Sequence, residues 1–202
     1  MKRYIYLISP PKIRGVNFYK ELNNVLKTNK VKYFQLRLKK ISILNLLKIS
    51  KKVKKIVKKN KVKLIVNDNP IVAKIINADG CHIGQKDIDF ISCRKILGKN
   101  KIVGMTCHNS KQLALKAKKY GANYIAFGAF FKSSTKKTAS KANLEILRWA
   151  KKKINMPIVA IGGINNSNYK KTLSSGANYV ACSNYIWKNE KLDPVSAINK
   201  LI

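Results

Sequence analysis

Acidic side chains are scarce in this chain. Its 202 residues include only 8 Asp and Glu against 43 Lys and Arg, which leaves a formal net charge of +35. Such an excess suggests a polyanionic partner, yet arginine is also rare and occurs only at positions 3, 14, 37, 94 and 148. Bidentate recognition of phosphates and bases favours arginine over lysine, so the composition reads against a dedicated nucleic-acid surface and for solvated, lysine-rich helix faces. The four cysteines (Cys81, Cys93, Cys107, Cys182) lack C-x-x-C spacing, which excludes a zinc framework and a disulfide scaffold. Within strands, the pairs Cys81-His82 and Cys107-His108 would point to opposite faces and could not chelate together. No stretch approaches the roughly 20 apolar residues of a membrane span, and the apolar run at 1–10 has no signal-cleavage pattern. These absences lead to the expectation of a cytoplasmic protein, and the length to that of one domain over residues 1–202.

Short β-rich runs are present at 4–9, 33–38, 63–66, 80–83, 102–106, 124–128, 158–161 and 179–182. Between them, apolar residues recur at helical spacing, most clearly at 18–26, 43–57 and 111–119, and more weakly at 71–76, 91–97, 144–153, 168–174 and 195–201. Eight strand and helix pairs predict an α/β fold of the (β/α)₈ TIM-barrel type. An open doubly wound sheet is the alternative, but neither G-x-G-x-x-G nor G-x-x-x-x-G-K follows any strand.

Barrel chemistry sits at the C-terminal ends of strands, and the unusual residues fall there. Of the eight acids, Asp68, Asp79, Asp87 and Asp89 lie close together in sequence. Asp68 ends the third strand and Asp87 follows the fourth, so a barrel would make them neighbours on one rim, suited to Mg²⁺. Asp79 fits a turn before Gly80, and Asp89 fits a helix cap. Alternation along the second strand would project Gln35, Arg37 and Lys39 together, toward an anion and a hydrogen-bonding heterocycle, unless the strand is an exposed edge. The segment 132–137, Lys-Ser-Ser-Thr-Lys-Lys, could fold over phosphate oxygens or remain a solvated loop. Gly162-Gly163 and Ser183-Asn184 follow the seventh and eighth strands, where many barrels bind phosphate.

The motifs Gln35-Leu36-Arg37-x-Lys39, Asn67-Asp68, Ala78-Asp79-Gly80-x-His82-Ile83-Gly84-Gln85-x-Asp87, Thr135-Lys136-Lys137 and Ile161-Gly162-Gly163-Ile164 together resemble the thiamine phosphate synthase family along nearly the whole chain. The resemblance implies a Mg²⁺-dependent transferase that joins hydroxymethylpyrimidine diphosphate to hydroxyethylthiazole phosphate and releases pyrophosphate. It places Gln35 on the pyrimidine, and Arg37, Lys39, Asn67 and Lys136 on the diphosphate. Arg37, Lys39 and Lys136 would be the catalytic cations. Asp68 and Asp87 would hold Mg²⁺, and Thr106 would offer a hydroxyl. Ser133, Thr135, Gly163, Ser183 and Asn184 would receive the thiazole phosphate. Leu38, Lys132, Asn184 and the stretch Gly176-Ala177-Asn178-Tyr179 depart from the family's usual residues, mostly in the thiazole half. The competing readings are a thiazole tautomerase-like relative, for which His108 would be the acid/base, and a catalytically inactive polyanion-binding barrel. The expected partners are small-molecule substrates, with room for a homo-oligomer and without a membrane.

Overall fold

The computed structural model describes residues 4–13, 15–131 and 142–201. Eight parallel strands pair in chain order, and the first closes on the last to form a barrel. They are β1 (Ile5–Ile8), β2 (Val31–Leu36), β3 (Lys63–Asn67), β4 (Gly80–Ile83), β5 (Ile102–His108), β6 (Tyr124–Gly128), β7 (Ile158–Ile161) and β8 (Tyr179–Cys182). Helices α1 (Asn17–Lys27), α2 (Ile43–Lys59), α3 (Pro70–Ile75), α4 (Phe90–Leu97), α5 (Lys111–Lys119), α6 (Glu145–Lys153) and α7 (Tyr169–Ser174) follow the first seven strands in turn. Two short helices, α8 (Asn184–Trp187) and α9 (Pro194–Asn199), both follow β8. Among the described residues no helix is long and apolar enough to cross a membrane.

The lysine-rich helices form because their cations stay wet. In α2, Ser42 caps the first turn by accepting from the Asn45 amide, Val53 and Val57 are buried, and Lys51, Lys52, Lys55, Lys58 and Lys59 lie on the exposed face. Lys63 and Asp79 form an ion pair at 2.9 Å.

Alternation along the strands divides the interior into two layers. Outward-facing Leu7, Phe34, Leu36, Val66, Cys81 and Phe127 pack beneath the helices. Tyr6, Ile8, Tyr124, Ala126, Val159 and Ala181 fill the barrel itself, with Tyr33 and Tyr179 against them. A Cβ on Gly104 would stand 2.0 Å from the Tyr124 ring, so only glycine at that inward position on β5 admits the tyrosine.

A device at the N-terminal rim recurs three times. Asn77, Gly121 and Gly176 take positive φ as α3, α5 and α7 end. A buried alanine follows each, and then Asp79, Asn123 or Asn178. The side-chain oxygens of these three residues accept from the amides of Leu64, Val103 and Ile158, each at 2.8 Å. Their own backbone amides donate back to the carbonyls of the same three residues, at 3.0, 2.9 and 2.8 Å. Each latch joins an odd-numbered strand to the even one that follows.

β2 lies two residues earlier than the β-rich run at 33–38 suggests. It stops at Leu36 because the Arg37 amide turns to Ser9 Oγ at 2.9 Å, and the Lys39 amide to the Pro11 carbonyl at 3.3 Å. Gln35 therefore points inward from the strand, whereas Arg37 and Lys39 belong to the loop above it, Lys39 being exposed.

Candidate active site at the C-terminal rim

The ends of β2, β3 and β4 bring one set of groups together. Asp68 follows Asn67, the last residue of β3, and turns with φ 61° while its amide donates to the His82 carbonyl on β4 at 2.8 Å. Asp87 comes back from the loop after β4 and accepts from the Gly84 amide at 2.7 Å. A Cβ on Gly84 would lie 2.8 Å from that carboxylate oxygen, so glycine is what permits the approach. Asp68 keeps much of its surface in solvent, but protein atoms crowd its carboxylate. That burial, followed by a hydrogen bond with Asp87 and the negative charge of Asp87, pushes the Asp68 pKa up to about 7. The Arg37 charge and a hydrogen bond with Asn67 pull it the other way.

Two converging carboxylates, with the charge of Asp87 opposing ionisation of Asp68, form a site for a cation. Among the described residues no three His, Cys, Asp or Glu side chains converge. A pair of carboxylates fits Mg²⁺, which takes one or two protein oxygens and completes its shell from phosphates and water. Asp79 and Asp89 stand apart from this pair: Asp79 forms the first rim latch, and Asp89 caps α4 by accepting from Ser92.

Inside the barrel, directly below, a chain of polar side chains crosses the apolar layer. Gln35 Nε2 donates to Tyr6 Oη at 3.1 Å, and Tyr6 Oη meets Tyr124 Oη at 2.6 Å. Tyr124 Oη meets His82 Nδ1 at 2.9 Å, and His82 Nε2 meets Thr106 Oγ1 at 2.8 Å. Burial lowers the His82 pKa to about 4, while the Asp87 charge opposes that shift and the Arg37 charge adds to it. Burial drives both tyrosines well above their ordinary value, so the whole chain is neutral. Gln35 and Thr106, singled out from the sequence, are thus the two ends of one network. Tyr6, Tyr124 and His82, which join them, were not singled out for function; their signal was polar atoms at inward positions of otherwise apolar strands.

On the other side of the rim, Gly163 takes φ 63° after β7, and its carbonyl accepts from Asn168 Nδ2 at 3.0 Å. Ser183 leads into α8, where its hydroxyl donates to the Ser9 carbonyl at 3.1 Å, and Asn184 begins that helix. Ser9 was also overlooked in the sequence. It is buried, and by bonding both the Arg37 backbone and Ser183 it ties the mouth of β2 to that of β8. Phe130 and Phe131 run beside the end of β7 through bonds to the carbonyls of Ile161 and Gly162, at 3.2 and 3.1 Å. Ser133, Thr135 and Lys136 lie outside the described residues. His108 ends β5 with φ 51° and is exposed. Cys81 and His82 do face opposite ways, Cys81 toward Cys93 under α4 and His82 into the barrel.

Comparison with known proteins adds a family to this geometry. The family model for thiamine monophosphate synthase matches residues 5–186. The thiamine-phosphate synthase of Pelagibacter ubique is 56% identical over 200 residues, covering 99% of this chain and 96% of that protein. The thiamine-phosphate synthase of Rhodospirillum centenum is 36% identical, covering 96% of this chain and 93% of its own. Among solved structures, a thiamine phosphate pyrophosphorylase from Pyrococcus furiosus superposes with a TM-score of 0.87 at 26% identity, over 99% of this chain and 94% of that one. With a closed barrel, a carboxylate pair at its mouth and relatives of this kind along its whole length, the chain belongs to the thiamine monophosphate synthase family.

Proposed function

We infer that this chain is a thiamine phosphate synthase, a transferase that joins hydroxymethylpyrimidine diphosphate to hydroxyethylthiazole phosphate with release of pyrophosphate. The observation that carries the reading is the meeting of Asp68 and Asp87 beside Arg37 and Asn67 at the ends of β2, β3 and β4.

In the proposed reaction, the C–O bond between the pyrimidine methylene and the diphosphate breaks, and its electron pair leaves with the diphosphate. The thiazole nitrogen then supplies the pair for the new C–N bond. No protein nucleophile or base is required, so the residues have only to orient the substrates and stabilise charge. Asp68 and Asp87 would hold Mg²⁺, which when bound neutralises the leaving diphosphate. Arg37, Lys39, Asn67 and Lys136 grip its oxygens, the three cations favouring the charge that develops there. Gln35 takes the polar edge of the pyrimidine from below, and Thr106 offers its hydroxyl to the same substrate. Gly163, Ser183 and Asn184, on the opposite side of the mouth, take the thiazole phosphate, a role proposed also for Ser133 and Thr135, and the two reacting centres then face each other over the apolar barrel.

The test is pyrophosphate release by purified protein with each substrate alone and with both, with and without Mg²⁺. Release only with both substrates and Mg²⁺ is expected. Binding of the substrates without formation of thiamine phosphate would reject the reading, and salt-sensitive binding of random duplex DNA with no affinity for either substrate would replace it with a polyanion-binding barrel.

A further inference from the structure

The buried chain from Gln35 to Thr106 has a direction. Gln35 turns its amide nitrogen to Tyr6, and an amide nitrogen can only donate. Tyr6 Oη therefore accepts, and its single hydrogen is left for Tyr124 Oη at 2.6 Å. Tyr124, having accepted, has its own hydrogen left for His82 Nδ1 at 2.9 Å. A neutral imidazole that accepts at Nδ1 carries its proton on Nε2, which faces Thr106 Oγ1 at 2.8 Å. Thr106 then accepts from below, and its hydroxyl hydrogen remains for a group above. Reversing any one link alone would set two donors, or two lone pairs, against each other among buried side chains, so the five residues hold one order together.

We propose that Tyr6, Tyr124 and His82 form a one-way hydrogen-bond chain that orients its two ends, Gln35 and Thr106, for the pyrimidine substrate. This rests on the proposed reaction, in which those two ends touch that substrate. The three inner residues are positioning residues: none reaches the mouth, and each acts through its neighbours. Gln35 is held with its carbonyl oxygen away from Tyr6, as an acceptor for an amino group. Thr106 is held as a donor, for a ring nitrogen or an ester oxygen. The mouth thus presents an acceptor and a donor on opposite sides, β2 and β5, and a heterocycle with the complementary pattern is oriented before its bond to diphosphate breaks. Gly104 belongs to the same device, because its missing side chain makes the space that brings Tyr124 between Tyr6 and His82.

The experiment has two arms. In the first, ¹⁵N NMR of the substrate-free protein reads the His82 tautomer. The Nε2–H form is expected, and the Nδ1–H form would overturn the direction of the chain. In the second, steady-state kinetics of Tyr124→Phe and Tyr6→Phe are measured for each substrate separately. Either change removes two hydrogen bonds from the chain. Each is expected to raise KM for the pyrimidine diphosphate or lower kcat by about tenfold, with KM for the thiazole phosphate unchanged. In Tyr124→Phe, His82 should also show a mixture of tautomers, and the double variant should be little worse than either single one, since one break already releases both ends. A folded variant with wild-type constants for both substrates, or one that weakens both substrates equally, would reject the positioning role. Because the tautomer is read without substrate, a chain running the wrong way is distinguishable from a protein that lacks the proposed reaction, which the wild-type two-substrate assay reports on its own.

Discussion

Asn178 offers a measure of how far stability and chemistry are separated in this barrel. Its side-chain oxygen accepts from the amide of Ile158, a residue only 2% exposed at the start of β7. Asn178→Ala removes that acceptor and leaves the amide unpaired. A buried donor left without a partner costs about 1–3 kcal/mol. Asn178 is itself exposed, so water can reach part of the gap, and the lower half of that range, about 1–2 kcal/mol, is the expected loss. For a chain of this length that corresponds to a melting temperature lower by about 2–8 °C. Asn178→Asp keeps the accepting oxygen and should stay within about 0.5 kcal/mol of the parent, the usual range for a surface change that breaks no bond. Urea denaturation of all three proteins measures the loss, and turnover at saturating substrate measures the separation. The latch lies at the strand starts, the opposite end from Asp68 and Asp87, so kcat should be unchanged in the folded fraction. An alanine variant as stable as the parent would refute the latch, as would an aspartate variant destabilised as much as the alanine one. A large fall in kcat without unfolding would refute the separation of the two rims.

Three other perturbations test the mouth and the barrel filling. Gly84→Ala places a methyl 2.8 Å from Asp87 Oδ2, so the carboxylate must move; isothermal titration should show weaker Mg²⁺ binding while the melting temperature changes little. The raised Asp68 pKa gives a signed pH dependence. The folded, metal-free protein keeps a proton that the unfolded chain loses above about pH 4, so its stability should fall as pH rises from there to about 7 and then level off. Mg²⁺ must displace that proton, so its apparent affinity should weaken by up to about tenfold per unit below pH 7, and an affinity independent of pH between 5 and 8 would count against Asp68 as a ligand. Gly104→Ala would put a methyl 2.0 Å from the Tyr124 ring, an overpacking that should cost about 1–3 kcal/mol in urea denaturation and disturb the His82 signals in NMR.

The barrel was legible because a parallel strand buried on both faces is a short run of β-rich apolar residues, and eight such runs stand at regular intervals. The starts of α2 and α5 were legible from apolar spacing, and local caps fix them there: the side chains of Ser42 and Ser110 accept from amides three residues on. The end of β2 was not, because it is decided by Ser9, which lies 28 positions before Arg37. The polar chain in the barrel was hidden for the same reason. Tyr6 and Tyr124 are 118 positions apart, and each alone reads as a strand aromatic; only closure of the sheet turns their inward positions into a contact.

The acid-rich stretch between 68 and 89 carries the sharper lesson about reading function from residue type. Its four aspartates are neighbours in sequence but serve three ends, and the strand boundaries decide which. Asp68 follows a strand and Asp87 lies in the loop after the next, so both stand at the C-terminal rim, where the charge of Asp87 raises the cost of ionising Asp68. Asp79 precedes a strand and so lies at the far rim, where its carboxylate meets the Leu64 amide and the Lys63 ammonium. Asp89 precedes a helix and spends its charge on the first turn. An acid at the latch is interchangeable with an amide, as Asn123 and Asn178 show in the two equivalent places. An acid at the mouth is not, because an amide cannot supply the negative charge that holds a cation. Asp79→Asn should therefore preserve both turnover and the latch, whereas Asp68→Asn should abolish Mg²⁺-dependent turnover in a protein that still folds. If the two substitutions had equal effects on turnover, the assignment of chemistry to one rim and stability to the other would fail.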